Sequence, residues 1–358
     1  MHPALTTPLL DLLGSKYPIV QTGMGWVAGP KLVSATSNAG AFGIIASATM
    51  TYDELVVAIA ETKKRTTAPF GVNMRADADD IMDRLKLLVA EGIPVASFAQ
   101  APKKDLIEYL HDHGIKVMPS IGAKRHAEKV MEWGVDAILV QGGEGGGHTG
   151  SVPTSLLLPE VVDVVGGRVP VVAAGGYFDG RGLVAALAYG ASGIAMGTRF
   201  LLTSDSAVPM EIKKQYLGTA VTGTVVTTKI DGAPHRVIRT KLVDQMDGAS
   251  PITAVPKAIA NAARFRKFTG LSWYQMAKEG LDMKKRMDMP WAEVIMAGNT
   301  PILTKATLVD GEVDAGILPT GQVVGVIDDL PSAAEVVNRI VAEAETTLNR
   351  LAGRNPGS

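Results

Sequence analysis

Short apolar, often β-branched runs alternate with longer amphipathic stretches between Pro18 and Arg199. A short apolar run bounded by turn residues predicts a buried strand, and apolar residues at helical spacing predict a helix. The predicted strands are Ile19–Gln21, Gly43–Ala46, Phe70–Asn73, Val95–Phe98, Lys116–Pro119, Ala137–Gln141, Val171–Ala174 and Gly193–Met196. The predicted helices between them are Lys31–Asn38, Asp53–Arg65, Asp79–Ala90, Lys103–His113, Ala123–Trp133, Leu156–Val165 and Arg181–Tyr189. Eight successive βα units predict an α/β fold and favour a closed (β/α)8 barrel over an open, doubly wound sheet.

The βα rhythm breaks after Asp205. Residues 206–315 predict a mainly helical insertion, or lid domain, that contributes to the substrate pocket. Its predicted elements are the helices Met210–Leu217, Pro256–Phe268, Tyr274–Lys285 and Pro290–Asn299 and the strand pair Thr224–Lys229 and His235–Arg239. The strand pair is predicted from the Asp-Gly turn between its members. An amphipathic helix, Ser332–Leu351, would complete the barrel, which therefore takes residues 1–205 and 316–358.

Composition removes several classes of function. The chain has no cysteine, which excludes disulfides, thiolate metal sites and the cysteine nucleophile of barrel enzymes of the inosine-monophosphate dehydrogenase type. A net charge of -1 gives no general attraction to nucleic acid or to anionic membranes. Neither a signal peptide nor a membrane span is predicted, so we expect a cytoplasmic protein and leave open whether it is a homo-oligomer.

Glycine is the one residue in clear excess, at 39 of 358 residues. Five predicted helices are followed by a glycine, where a left-handed residue ends a helix at little cost: Gly40, Gly92, Gly114, Gly134 and Gly190. Other glycines follow predicted strands, in Ala174-Gly175-Gly176 and in Met196-Gly197-Thr198. Loops after the seventh and eighth strands of such barrels commonly bind phosphate, so this pattern favours a phosphate site over simple tight turns.

The densest glycine segment follows the sixth strand and reads Gln141-Gly-Gly-Glu-Gly-Gly-Gly-His148-Thr-Gly150. We expect such a segment not to be a packing element but to bring main chain close to a flat or anionic ligand. His148, presented on this loop, is the candidate acid–base residue. The remaining histidines, carboxylates and spacings predict no metal site.

These motifs, with Pro18-Ile-Val-Gln-Thr-Gly-Met24 and Phe70-Gly-Val-Asn73, resemble the nitronate monooxygenase family, formerly the 2-nitropropane dioxygenases, which includes flavin-dependent enoyl-thioester reductases. The resemblance implies a TIM barrel that holds FMN without a covalent bond. It implies that His148 faces the substrate, and that the cofactor contacts Gly23, Met24, Asn73, Gln141, Gly142, Gly146, Gly147, Gly175, Gly176, Gly197 and Thr198. Members that oxidise nitronates commonly carry alanine where this chain has Gly145.

Within that family the chain most resembles flavin oxidoreductases that act on CoA thioesters in bacterial steroid-ring breakdown, partly through the segment 231–240. CoA carries separated phosphates, which need cations outside the cofactor pocket. Arg236, Arg239 and Lys241 are the preferred candidates, and the clusters at 264–267 and 284–286 are further ones. We therefore expect hydride transfer between flavin N5 and an acyl-CoA, with His148 as acid or base.

Three other functions remain open from the sequence. One is oxidation of small alkyl nitronates by O2, and another is NAD(P)H-dependent reduction of enoyl thioesters. A third is a flavin or phosphate binder without catalysis. The electron partner and the direction of the reaction are not fixed by any motif, since no nicotinamide fingerprint is visible.

Overall fold

A computed structural model describes residues 1–230, 232–247, 303–312 and 316–354. The predicted helices Pro256–Phe268, Tyr274–Lys285 and Pro290–Asn299 and the cation clusters at 264–267 and 284–286 lie outside these residues. Within the described part, no helix combines the length and hydropathy needed to cross a bilayer.

Eight parallel strands close into a barrel, which confirms the predicted fold class. They are β1 (Ile19–Gln21), β2 (Phe42–Ala46), β3 (Phe70–Met74), β4 (Val95–Phe98), β5 (Lys116–Ile121), β6 (Ile138–Gln141), β8 (Val171–Ala174) and β9 (Gly193–Met196). The barrel closes where β1 pairs with β9, in the register Val20↔Ala195. A further strand, β7 (Gly147–His148), lies outside the barrel.

Helix α1 (Pro8–Leu13) precedes β1, and further helices cover the outside of the barrel: α2 (Pro30–Asn38), α3 (Tyr52–Arg65), α4 (Ile81–Ala90), α5 (Lys104–Asp112), α6 (Lys124–Glu132), α7 (Thr154–Val165) and α8 (Gly180–Ala188). Buried apolar side chains form one layer between strands and helices and a second inside the barrel. The short helix α1, which the sequence did not predict, contributes Leu9 and Leu13 to the inner layer. A side chain at Gly193, the first residue of β9, would meet Leu9 at 2.7 Å, so α1 covers the end where the strands begin.

Beyond β9 the chain forms α9 (Thr198–Leu201), α10 (Met210–Leu217), the hairpin β10 (Thr224–Thr227) and β11 (His235–Ile238), and α11 (Lys241–Asp247). The hairpin has the predicted antiparallel pairing. Its second strand also pairs with β7, so the glycine segment after β6 is joined to the hairpin in one small sheet, which the sequence did not predict.

The final described helix, α12 (Ala333–Leu351), packs against α8 and α2, as expected of the helix that completes the barrel. It begins with a capping box in which Ser332 and Glu335 satisfy each other's backbone amides. A Cβ at Gly180 would lie 2.4 Å from the backbone of Ile340, so the lack of a side chain there lets α8 and α12 approach closely.

Candidate active site

The loop after β8 exposes backbone amides at the carboxyl end of the barrel. Gly175 and Gly176 both have positive φ, at 96° and 85°, which glycine adopts without strain. Thr154 Oγ1 lies 3.0 Å from the carbonyl oxygen of Gly175, beside this turn. Within the described residues, the amides of Gly175 and Gly176 donate no hydrogen bond. Such a pair of open amides is suited to an anion.

The loop after β9 lies beside it. The amide of Thr198 also donates no hydrogen bond within the described residues, while its hydroxyl oxygen accepts one from Gly321 N at 2.9 Å. A Cβ at Gly197 would lie 3.3 Å from Met24 Sδ, so the loops after β9 and β1 are in close contact. The structure therefore brings together two predicted cofactor residues, Met24 and Gly197, that follow the first and the last barrel strands.

The loop after β1 packs on the end of β3. A Cβ at Gly23 would lie 2.4 Å from Cβ of Asn73, a separation that only glycine allows. Asn73 Nδ2 donates to Ser97 Oγ at 3.2 Å, which orients the amide. Nearby, Gln21 is fully buried, and its Oε1 has no hydrogen-bond partner among the described residues. A buried amide oxygen without a donor costs stability unless a ligand supplies the donor.

The prediction that the glycine segment after β6 is not a packing element is wrong for three of its members. A Cβ at Gly142 would lie 2.5 Å from Cα of Thr154, and one at Gly146 would lie 2.3 Å from the carbonyl carbon of Thr320. At Gly145 a Cβ would lie 2.5 Å from Nε2 of Gln141. These glycines are required because protein packs on them, whether or not a ligand also approaches.

Gln141 and Glu144 hold this segment in place. Gln141 Nε2 donates to the carbonyl of His148 at 2.8 Å. The Glu144 carboxylate accepts from the amide of Thr154 at 2.9 Å and from its hydroxyl at 2.6 Å, and so occupies the N-terminus of α7. The helix dipole favours a negatively charged group, such as this carboxylate, at the N-terminus of a helix. Burial, and secondarily the charge of Glu144, raises the pKa of Tyr177.

His148 lies on β7, exposed, and directly opposite His235 of β11. Their ring centroids are 4.6 Å apart, with planes inclined by 43°. His235 is buried, with 6% of its surface exposed. Sequence reasoning missed this pair because β7 has only two residues and its partner strand lies far along the chain.

The three predicted CoA-binding cations differ in their surroundings. Arg236 is partly buried, and its guanidinium donates to Thr224 Oγ1 and to the carbonyl of Gly143, both at 2.9 Å. Burial lowers the pKa of Arg236, and the charge of Glu144 opposes that shift. Arg239 is exposed and pairs with Asp244 at 2.8 Å, while Lys241 is the exposed first residue of α11. Arg236 thus holds the glycine segment, and the other two cations lie at the surface.

Residues 318–322 form the most important part of the site that the sequence did not reveal. The amide of Gly321 donates to Thr198 Oγ1, and that of Gln322 donates to the carbonyl of Glu144, both at 2.9 Å. Ile238 N donates to the carbonyl of Leu318 at 2.9 Å. This segment therefore ties the glycine segment, the β9 loop and the hairpin together. Its residues carry no composition signal, since their role depends on backbone groups.

The geometry fits a phosphorylated cofactor, because the open amides of Gly175, Gly176 and Thr198 suit a phosphate. Among residues 1–230, 232–247, 303–312 and 316–354, no cluster of three or more histidines and carboxylates could hold a metal.

Comparison with known proteins identifies relatives along nearly the whole chain. A Mycobacterium tuberculosis enzyme described as (3aS,4S,5R,7aS)-5-hydroxy-7a-methyl-1-oxo-octahydro-1H-indene-4-carboxyl-CoA dehydrogenase is 57% identical over 345 residues, covering 96% of this chain and 97% of that enzyme. A probable nitronate monooxygenase of Staphylococcus saprophyticus is 31% identical over 310 residues, covering 73% of this chain and 87% of that protein. The structure of FabK from Thermotoga maritima superposes with a TM-score of 0.78 at 31% identity, covering 97% of this chain and 99% of that one.

The family model for nitronate monooxygenases matches residues 6–343. That range contains all eight barrel strands, the glycine segment with His148, and most of α12. The chain therefore belongs to the nitronate monooxygenase family of flavin-dependent oxidoreductases and is an enzyme.

Proposed function

We propose that this enzyme is an FMN-dependent dehydrogenase that acts on the CoA thioester of a fused-ring acid formed in steroid-ring breakdown. The observation that carries the proposal is the 57% identity to an indene-carboxyl-CoA dehydrogenase over 96% of the chain. The aligned part covers 96% of the chain, and substrate and cofactor sites of such folds lie in the loops at the carboxyl end of the barrel. A CoA-thioester substrate belongs to cytoplasmic metabolism, so the proposal includes a cytoplasmic enzyme.

The relative's substrate name describes a fused-ring acyl-CoA with a hydroxyl on the ring carbon next to the one that bears the thioester. Dehydrogenation of such a substrate removes two hydrogens, one as a proton and one as a hydride from carbon. His148, exposed on β7, would accept the proton as a neutral imidazole. FMN, when bound, supplies the hydride acceptor at its N5.

The cofactor would be held mainly by backbone. The open amides of Gly175, Gly176 and Thr198, together with Gly197, are assigned to its phosphate, and the β1 and β3 residues Gly23, Met24 and Asn73 to its ring. The remaining proposed cofactor contacts, Gln141, Gly142, Gly146 and Gly147, lie in the glycine segment. Since Gly142 and Gly146 also pack on protein, we propose that they both shape this segment and line the cofactor site.

The CoA phosphates would lie toward the hairpin and α11. Arg239 and Lys241 are exposed there and can reach a flexible ligand, whereas Arg236 donates to the glycine segment and would act from within the wall of the site. In this proposal the insertion, residues 206–315, contributes the remaining surface for the acyl group. Arg239→Gln and Lys241→Gln together should raise KM for the acyl-CoA and leave kcat near its original value.

Anaerobic titration of the flavin-loaded protein tests the proposed activity. A β-hydroxyacyl-CoA with a fused-ring acyl group should bleach the oxidised flavin bands in wild-type protein. His148→Ala should keep its bound flavin and lose at least about a hundredfold in the rate of bleaching, because general acid–base groups contribute on that scale. The matched control is His126→Ala, which changes an exposed histidine of α6.

Other outcomes would favour the rival functions. Bleaching by propionate 3-nitronate and not by any acyl-CoA would support nitronate oxidation, which the 31% identity to a probable nitronate monooxygenase also favours. Flavin reduction by NAD(P)H followed by reoxidation with an enoyl thioester would support a reductase. Bleaching by none of these compounds would leave a flavin binder without catalysis, and rapid bleaching in His148→Ala would contradict the role of His148.

A further inference from the structure

The hairpin segment 231–240 contains a histidine that the proposed chemistry does not use. His235 of β11 lies against His148, with 4.6 Å between ring centroids. His148 is exposed, whereas only 6% of the surface of His235 is exposed. One member of the pair can therefore meet a substrate, and the other is part of the wall behind it.

The pairing follows from strand register and not from chance proximity of two side chains. His235 and His148 are direct partners on the antiparallel ladder of β11 and β7, and direct partners project on the same face of a sheet. A slip of one residue would turn His235 to the other face. The register is held by the bond from Thr149 N to the carbonyl of Pro234, at 3.1 Å, and by Arg236, which donates to Gly143 O.

Proton transfer needs the ring of His148 in a fixed orientation. Gln141 binds the carbonyl of His148, which fixes the backbone at this position. A proton-transfer group must be held within about 0.5 Å of its working position. The buried ring of His235 supplies a packing surface that restricts the imidazole of His148.

We propose that His235 is a positioning residue, which holds the His148 imidazole in the orientation needed for proton transfer. The inference rests on the proposed acid–base role of His148. It differs from general core packing because the effect on His148 passes through the ring contact between the two histidines, and because a flat ring of similar size should replace His235.

The test compares two substitutions at one position. His235→Ala removes the ring and should lower kcat by about a hundredfold with little change in KM, because a small displacement of a catalytic group costs that much. His235→Phe keeps a flat ring of similar size and should restore most of kcat. His235→Leu fills the space without a flat ring and should behave like the alanine variant, which keeps the test usable if His235→Ala does not fold. Bound flavin and melting temperature are measured for each.

An NMR measurement tests the contact without using activity. In protein with labelled histidine, the His148 ring signals, assigned by their loss in His148→Ala, should shift in His235→Ala and stay in place in His126→Ala. Unchanged ring signals in His235→Ala, a wild-type kcat in that variant, or equal damage from alanine and phenylalanine would each overturn the inference.

Failure of the underlying proposal gives a different result. Full turnover in His148→Ala would overturn the acid–base role of His148, and with it the function of the pair. Loss of turnover in His148→Ala beside full turnover in His235→Ala would overturn the positioning role alone.

Discussion

Gly142 and Gly146 after β6 and Gly176 after β8 lie at the same end of the barrel but serve different purposes. At Gly142 and Gly146 the space for a side chain is filled by other parts of the protein. At Gly176 the nearest atom to a Cβ is 3.7 Å away, and glycine is needed there because φ is 85°. Gly142 and Gly146 let protein pack on protein, whereas the amide of Gly176 donates no hydrogen bond to the described residues. Glycine density in a sequence does not separate these two uses.

The largest effect is expected at a packed glycine. Gly142→Ala would place Cβ 2.5 Å from Cα of Thr154, so the start of α7 must move, and we expect the free energy of unfolding to fall by about 3 kcal/mol. Gly122→Ala is the matched control, since a Cβ at this loop position after β5 meets nothing closer than 3.6 Å. Chemical denaturation measures both. A Gly142→Ala protein as stable as Gly122→Ala would remove the distinction between packed and open glycines.

A smaller and more selective effect is expected at an open glycine. Gly176→Ala and Gly167→Ala both place alanine at positive φ, 85° and 72°, and each should cost about 1 kcal/mol of stability. Gly167 precedes β8 at the opposite end of the barrel, so only Gly176→Ala should also weaken FMN binding, by roughly tenfold if one phosphate hydrogen bond is lost. Flavin dissociation constants, measured by fluorescence, check this. Equal affinities in the two variants would contradict the assignment of Gly176 to the phosphate.

The smallest effect is expected at the ion pairs beside the loop after β9. Arg199, next to Thr198, donates to Asp329 at 2.8 Å, and Arg339 pairs with the same carboxylate. Burial alone would raise the pKa of Asp329, but these two arginines lower it below its usual 3.8. A lowered folded-state pKa adds stability that is complete above about pH 4 and is lost as the pH falls through the folded-state value.

Because Asp329 is partly exposed, solvent screening limits this contribution to about 1 kcal/mol or less. The free energy of unfolding of Asp329→Asn should therefore depend less on pH below 4 than that of wild type. Asp83→Asn, which changes an exposed carboxylate of α4, should leave the wild-type dependence in place. Parallel curves for wild type and Asp329→Asn would show that the Arg199 contact does not support this side of the site.

The barrel could be predicted closely because its signals are local. The bounds of β1, β4, β8 and β9 agree with the prediction at both ends, since each is a short apolar run between turn residues. Helix ends differ by one or two residues, where caps decide the boundary. The predicted left-handed glycines all have positive φ: Gly40, Gly92, Gly114, Gly134 and Gly190.

The candidate site was predictable only in part, because several of its contacts join distant parts of the chain. Nothing near His148 in the sequence indicates that His235 pairs with it, and a two-residue strand has no alternation to detect. Gly321 acts through its backbone amide, which every residue except proline possesses. Glu144 lies between glycines, ten residues before the helix that it caps, so the sequence around it gives no sign of its bond to Thr154.

The separation between β9 and α12 has a consequence for how the protein folds during synthesis. All eight barrel strands have been made once Met196 leaves the ribosome, but the helix that packs on α8 and α2 begins only at Ala333. Until then the faces of α2 and α8 that α12 covers have no partner, and the apolar residues on those faces remain exposed to other chains. Contacts of such long sequence separation also slow folding. The nascent barrel is therefore the stage at which we expect chaperones to matter most for this enzyme.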